Sequence, residues 1–344
     1  MSTIPSTAPP RRRWWLRGAI AFTTVAAITL SLLWLWSEYA TMSAWQEAEA
    51  EADRLDPRWR LHEIQADRAD VPDDENACLV VAHLVRETER RRIAWGSDHG
   101  DLFDGYPPRA RMNGAQLGKV RAELAAIPAP LLAEAHRLHQ LKKGRFRLEI
   151  TPDYFSTATM EQSFGRKVAN WLLHEAYLAS DEGRHDDALQ GCETVLRMGR
   201  IACKEPFVTS LWLRHALRRD AIATLERILG NGELSDDALA RMQTSLAEDL
   251  SDSSWLVAVR GERAGLHQLY SSLRAGKDAK FFTDVIARTN PRSFDEWTVY
   301  CVPSTALKGY PEALRHWNES VEIAKLPISE RLARLQAQEA RGCY

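Results

Sequence analysis

The chain is 344 residues long and carries 45 lysine and arginine residues against 47 aspartate and glutamate residues, a formal charge of −2. This near-neutral balance argues against a dedicated nucleic-acid-binding protein, which usually has a strongly basic domain. Hydrophobic residues make up 45% of the chain, which excludes a disordered or fibrous protein. The mean hydropathy of −0.37 excludes a protein with many membrane spans and leaves room for one.

The first predicted element is a membrane-spanning helix over residues 18–36. This run has no charged side chain, and at about 1.5 Å per residue it reaches about 28 Å, close to the thickness of a bilayer's hydrocarbon core. Arg11, Arg12, Arg13 and Arg17 precede it, and acidic residues follow it. The positive-inside rule therefore predicts that residues 1–17 form a cytoplasmic tail and that everything after Ser37 lies outside the cytoplasm.

A cleaved signal peptide and a buried helix of a soluble protein are the two alternatives to a retained anchor. The apolar region of a signal peptide usually has about 7–15 residues and ends in small residues at the cleavage site. Here the run is longer and leads into Glu38, Tyr39 and Ala40. The sequence therefore favours a single-pass signal anchor in the inner membrane, with a periplasmic or otherwise extracytoplasmic body.

After the span, residues 37–72 are predicted to form a stalk helix and an extended strap or short helix. Alanine and glutamate, which are strong helix formers, dominate the stretch to about Leu55. The Asp56–Pro57 pair is predicted to end the helix, because a residue that precedes proline is biased away from the α conformation. Residues 73–344 then form the predicted helical domain.

The pattern of that domain predicts an all-α, antiparallel, solenoid-like fold. Apolar residues recur at helical spacing between short breaks, and successive helices with short connections usually pack as antiparallel neighbours. Helices are predicted over 77–92, 116–126, 131–143, 164–181, 186–203, 211–229, 235–250, 253–274, 311–325 and 329–341, and a long loop over 96–113. The one strand signal is the alternation of charged and apolar residues over 145–150, for which no partner strand is evident.

Residues 171–203 resemble one tetratricopeptide-type (TPR-like) helix pair. Tyr177, Gly183 and Ala188 fall in the order of that motif, although the interval from tyrosine to glycine is longer and no second copy is evident. An ordinary antiparallel helix pair is the alternative.

Five short motifs over a wider region resemble an uncharacterised family of single-pass, membrane-anchored helical proteins of planctomycete-type bacteria. The motifs are DPRWRL (56–61), VPDDENA (71–77), GRFRLEI (144–150), MGRIACKEP (198–206) and RGERAG (260–265). The resemblance implies an architecture and a compartment, and it implies no activity.

The five cysteines show no metal-binding or redox motif, since their count is odd and no C-x-x-C is present. Cys192 and Cys203 lie on one predicted helix, about 16 Å apart along its axis, so they cannot bridge each other. Both are predicted to be buried thiols, and a disulfide from one of them to Cys78, Cys301 or Cys343 is the alternative. On another helix, His136 and His139 follow Glu134; we expect a solvated face there rather than a metal site, because a zinc enzyme needs further ligands.

Two groups of charged residues are the candidate interaction surface. They are Arg214, His215, Arg218 and Arg219 on one helix, and Arg260 and Glu262 on another. Arginines four residues apart can clamp a carboxylate or a phosphate; the alternative is that they pair with Asp220, Glu226 or acids of a neighbouring helix. Gly261 lies between Arg260 and Glu262, and a glycine at this point of a helix predicts the close approach of another backbone. An arginine is the expected partner of Glu262.

The chain lacks a nucleophile elbow, a P-loop, a dinucleotide-binding fingerprint and an EF-hand loop. No catalytic residue, cofactor or metal is therefore predicted, and an enzyme is the less favoured class. The leading hypothesis is an envelope scaffold or protein-interaction module that binds the membrane through one span and a protein or peptide through its body. The alternative is an extracytoplasmic hydrolase whose site is assembled from dispersed residues such as His174, His215 and Glu262.

Overall fold

A computed structural model of the chain describes residues 12–94, 107, 109–151, 154, 157, 165–202, 204–250, 253–275 and 307–341. Within these ranges every regular element is a helix, which confirms the all-α prediction. The α-helices are α1 (Arg12–Leu55), α2 (Leu61–Asp67), α3 (Ala77–Arg91), α4 (Gly114–Ala125), α5 (Ala129–His136), α6 (Gly165–Asp181), α7 (His185–Ala202), α8 (Val208–Asn231), α9 (Asp236–Leu250), α10 (Ser254–Arg274), α11 (Tyr310–Lys325) and α12 (Ile328–Ala340). Short 3-10 helices span Asp73–Glu75 and Arg137–His139.

The N-terminal part of α1 is suited to crossing a membrane. Its most apolar window has a mean hydropathy of 1.9, and none of that window is buried in the protein. Its threonine hydroxyls donate to carbonyls one turn back, as Thr24 does to Ile20 at 2.8 Å and Thr29 to Val25 at 2.9 Å. These bonds satisfy the hydroxyl protons of the threonines within the helix itself. Among the described helices, α1 alone has the length and composition to span a bilayer.

The second half of α1, predicted as a stalk, packs into the body. Trp45, Ala48 and Ala52 recur at helical spacing and are buried in one cluster with Tyr310 and Leu314 of α11. The ring centroids of Trp45 and Tyr310 lie 3.8 Å apart. The apolar half of α1 and the body are therefore joined by continuous helical backbone and by a shared core.

The main core lies among α3 and α5 to α9, where the strongest apolar periodicity was predicted. Within it α6 packs along α7, and the two helices are separated by a turn at Gly183 with a positive φ of 81°. A Cβ atom on Gly191 of α7 would lie 3.0 Å from the Leu172 carbonyl oxygen of α6. Glycine therefore allows the two helix backbones to approach closely at this point.

The strand predicted over 145–150 is wrong: the segment is extended but belongs to no sheet, and the nearest feature is one isolated bridge between Asn76 and Lys143. Its alternation has another cause. Phe146 is buried in the core, while Arg145 and Arg147 pair with Asp70 and Asp73.

The side-chain amide of Asn76 takes the place of a neighbouring strand. It accepts a hydrogen bond from the Arg145 N–H at 3.0 Å and donates one to the Arg145 carbonyl at 3.0 Å. The same side chain caps α3 by accepting from the Cys78 N–H at 3.1 Å. One asparagine thus holds the extended segment against the start of a helix.

Two further outcomes concern local predictions. Cys78 and Cys192 are free and buried, as predicted for Cys192, and burial raises the pKa of both thiols. Three of the cysteines lie outside the described residues: Cys203, Cys301 and Cys343. So do the segment 276–306 and most of the loop predicted over 96–113. The helix predicted over 131–143 ends as an α-helix at His136, and a 3-10 turn follows it.

Candidate functional site

Two of the four predicted site residues on α8 form a buried ion pair with α9. The Arg214 guanidinium donates to an Asp249 carboxylate oxygen at 2.9 Å and to the Asp249 carbonyl at 2.8 Å. The Arg218 Nε lies 3.1 Å from the other carboxylate oxygen of Asp249, whose side chain is 2% exposed. The contacts of both arginines are therefore those of the pairing alternative, with an acid on a neighbouring helix.

The other two residues of that group lie on an exposed face of α8. His215 is exposed, and the Arg219 side chain is 69% exposed although it also contacts Asp220. Both follow Trp212, at i+3 and i+7, so the three side chains share one face of the helix. Trp212 is 66% exposed, and among the residues that the structure describes it is the only exposed tryptophan outside α1. We call this set (Trp212, His215 and Arg219) the α8 face.

Arg260, on α10, forms part of the junction between the end of α1 and the body. Its Nε donates to the Asp56 carboxylate at 2.8 Å, and the neighbouring Arg263 donates to the same oxygen. Arg263 is fully buried and also donates to Asn318 of α11 at 3.1 Å, with its guanidinium 5.1 Å from the centre of the Trp59 ring. Burial lowers the pKa of Arg263. Asp56 directly follows α1, so these contacts fix the end of that helix on the body.

Gly261 and Glu262 both contact the turn that precedes α8. A Cβ atom on Gly261 would overlap the Pro206 carbonyl, which confirms the predicted close approach of another backbone. Glu262 has no arginine partner in the described structure: it accepts from the Val208 N–H at 2.8 Å and from the Tyr154 hydroxyl at 3.5 Å. Val208 is the first residue of α8, so the carboxylate satisfies a helix N-terminal N–H that lacks an intrahelical partner. Burial raises the pKa of Glu262.

The three residues considered for a hydrolase lie in three different surroundings. His174 is buried on α6, with its Nδ1 3.4 Å from a carboxylate oxygen of Glu123 on α4. His215 is exposed on α8, and Glu262 is buried against the start of α8.

His136 and His139 form a stacked pair beside a cavity of about 490 Å³. His136 is 2.7 Å from a carboxylate oxygen of Glu175, and the Nδ1 of His139 lies 2.6 Å from the Thr194 hydroxyl. Burial and the adjacent His136 lower the pKa of His139 to about 4. Glu134 instead accepts from the Arg137 guanidinium at 2.7 Å. The described residues contain no group of three or more His, Cys, Asp or Glu side chains placed to hold a metal ion.

A larger groove, of about 760 Å³ and lined mostly by charged residues, lies between α7 and α9 and was not predicted. Five cationic side chains and two carboxylates line it, together with Thr244, Ser245 and a single apolar residue, Ile201. The cations are Lys142, Arg197, Arg200, Lys204 and Arg241, and the carboxylates are Glu193 and Glu248. We call this feature the basic groove.

Two arginines of the basic groove, Arg197 and Arg200, are held by contacts within the protein. Arg197 donates to the His139 carbonyl at 2.8 Å, and Arg200 donates to the Ser245 carbonyl at 3.0 Å. Arg200 also lies 3.1 Å from Glu248. Burial lowers the pKa of Arg197. The contacts of Arg197 and Arg200 therefore hold two positive charges in defined positions.

The sequence holds a signal for the basic groove. On α7 and the turn after it, Glu193, Arg197, Arg200 and Lys204 follow one another at intervals of four, three and four residues, which places them on one face. On α9 the interval from Arg241 to Glu248 is seven residues, with Thr244 and Ser245 between them. Sequence reasoning missed the site because nothing in the sequence alone shows that these two faces oppose each other.

Comparison with known proteins adds no relative from which to transfer a function. No family model, curated protein or solved structure matches the chain.

Proposed function

We propose that the protein is a single-pass, membrane-anchored interaction or scaffold module whose helical body is displayed outside the cytoplasm of an envelope-bearing cell. Two features support the anchor: the apolar half of α1 is fully exposed, and arginines precede it while acids follow it. This is the architecture that the resemblance to the planctomycete-type family implies, and membership of that family is part of the proposal.

The observation that carries the interaction function is the α8 face. A tryptophan exposed over two thirds of its surface is unusual on a soluble body, and here it has a histidine and an arginine beside it. Tryptophan and arginine are enriched among the residues that dominate protein–protein binding energy. The α8 face thus has the composition of an interface with a protein or peptide partner.

We further propose that α6 and α7 form one TPR-like helix pair of a short solenoid, which α8 and α9 extend by packing on α7. Their connections are short, and α7 packs closely on both α6 and α8. A solenoid of this kind presents extended surfaces to partners, and it needs no catalytic residues.

The first test establishes the compartment. A reporter fused to the C-terminus of the full chain and active only outside the cytoplasm is expected to be active, and the intact chain is expected in the membrane fraction. Recovery of the intact chain in the soluble fraction, or activity of a cytoplasm-only reporter at that position, would contradict the anchor and its orientation.

The second test addresses the interaction function. Chemical crosslinking of the full chain in the membranes of its own cell is expected to give a discrete adduct with a second protein, and Trp212→Ala is expected to abolish it. Leu332→Ala is the matched control, since Leu332 of α12 is 65% exposed and the change also removes a large apolar surface. Equal adducts in both variants would exclude the α8 face as the interface.

A further inference from the structure

We propose that the basic groove binds an acidic segment of a partner polypeptide, in an extended conformation and through its Asp and Glu side chains. None of the residues that line the basic groove belongs to the α8 face, and the proposed function does not depend on the groove.

Charge complementarity is the first support. Five cations against two carboxylates line the basic groove, whereas the chain as a whole is acidic. Four arginines of residues 1–17 are included in the net charge of −2, so the remainder of the chain carries −6. An anionic segment is therefore repelled by the average surface of the body and attracted to this groove, which favours one docking position over all others.

The two lysines supply the free donors. Lys142 and Lys204 are exposed at the basic groove, and no hydrogen bond or ion pair engages either ammonium group within the described structure. Arg241 is 55% exposed and lies 3.6 Å from Glu193, a weak contact that a ligand carboxylate can replace. These three flexible, separated cations suit several separated carboxylates.

A compact anion fits this arrangement less well. Bidentate clamping of a phosphate needs a free guanidinium fork, and one terminal nitrogen each of Arg197 and Arg200 already donates to a carbonyl of the protein, which leaves Arg241 as the one exposed fork of the groove. An apolar helix fits less well too, because Ile201 is the single apolar residue of the lining.

The dimensions suit a short extended segment. Glu193 and Lys204 are eleven positions apart in the sequence, about 16 Å if the helical rise is continued through the turn after α7. At about 3.3 Å per residue, an extended chain of about five residues covers that distance. The volume of about 760 Å³ lies in the range of ligand-binding clefts.

Fluorescence anisotropy of the full chain in detergent micelles tests the proposal. The probe is a fluorescein-labelled Glu-Gly repeat peptide of about eight residues, which exceeds the length of the groove. The reference peptide has glutamine at every glutamate position. We expect saturable binding of the glutamate peptide, at least about tenfold tighter than that of the glutamine peptide, because only the former carries the complementary charge.

Charge reversal locates the site. Lys142→Glu with Lys204→Glu is expected to weaken binding of the glutamate peptide at least about tenfold. Lys119→Glu with Lys308→Glu is the matched control: both lysines are exposed, both lie outside the basic groove, and the change in net charge is the same. The control is expected to change affinity less than about twofold, through long-range electrostatics alone.

Three results overturn the proposal. An equal loss in the two double variants means that only the net charge matters. Equal affinity for the two peptides means that carboxylates are not recognised. Displacement by inorganic phosphate, but not by sodium chloride of the same ionic strength, means that the site takes a compact anion. All three concern purified protein, so they leave the membrane topology and the α8 face to be judged by their own experiments.

Discussion

Asp56 is expected to contribute more to the stability of the body than any exposed acid near it, and replacing it by alanine tests the described junction. The carboxylate is the partner of Arg260 and of Arg263, and Arg263 is fully buried. In Asp56→Ala the Arg263 guanidinium keeps Asn318 as a hydrogen-bond acceptor but loses the carboxylate that it contacts directly. An arginine cannot escape this by losing its proton within the range of pH at which the protein is folded.

The magnitude follows from the burial of the pair. Removing one partner of a buried ion pair costs about 3–5 kcal/mol, because the remaining charge is left uncompensated in a medium of low polarity. With a denaturant dependence of about 3 kcal/mol per molar urea, this lowers the urea midpoint by about 1–2 M. The double variant Asp56→Ala with Arg263→Met removes both charges and is expected to recover much of that loss.

Pulse proteolysis of the full chain in detergent micelles, over a series of urea concentrations, measures the midpoint. Asp67→Ala is the matched control, since Asp67 also pairs with an arginine, Arg58, at 2.9 Å, but both side chains are at least half exposed. We expect no measurable shift for the control, because solvent screens such a pair. If Asp56→Ala shifts the midpoint no more than Asp67→Ala does, the buried junction is wrong.

Three further predictions concern glycines, thiols and pH. Gly261→Ala is expected to destabilise the body by about 1–3 kcal/mol, because the new methyl group overlaps the Pro206 carbonyl. Gly118→Ala, in open space on α4, is expected to stabilise the body by up to about 1 kcal/mol. If urea titrations show that both variants change the free energy of unfolding in the same direction, the close packing at Gly261 is contradicted. Peptide mapping after maleimide treatment is expected to find the two buried thiols of the described residues unlabelled until urea unfolds the chain, and labelling under native conditions would contradict their burial. Burial lowers the pKa of His267 to about 4. As the pH falls from about 6.5 to about 4, the unfolded chain therefore takes up a proton that the folded chain does not, and the protein loses stability. Thermal unfolding is expected to show a smaller loss of stability over this range in His267→Gln, and an unchanged loss in His83→Gln, the control at an exposed site.

The helices and the apolar span were predictable because their signals are local. Apolar spacing marks α6 and α7, and the charge-free run marks the exposed part of α1. The strand over 145–150 was mispredicted because the alternation of Arg145, Phe146 and Arg147 satisfies the same pattern as a strand. Its actual partner is the side chain of Asn76, sixty-nine positions away, which no local pattern reveals.

Site residues were harder to predict, because a charged side chain has the same appearance in sequence whether it is paired or free. The cluster on α8 contains both kinds: Arg214 is buried against Asp249, while His215 is exposed. Gly261 was the informative residue, since glycine within a helix costs about 1 kcal/mol and therefore indicates a steric reason for its presence. The basic groove depends on the packing of α7 against α9 and is visible only once both helices are placed.

Because α1 runs without a break from its apolar half into the core, the rotation of the body about the axis of α1 is fixed relative to that apolar half. Trp36 and Trp45 are nine positions apart, about 13 Å along the helix axis, and the backbone between them is continuous α-helix. With about 3.6 residues per turn, one residue inserted into this segment turns the body by about 100° and raises it by about 1.5 Å. The number of residues in this segment therefore sets which side of the body lies in line with each face of the apolar half of α1.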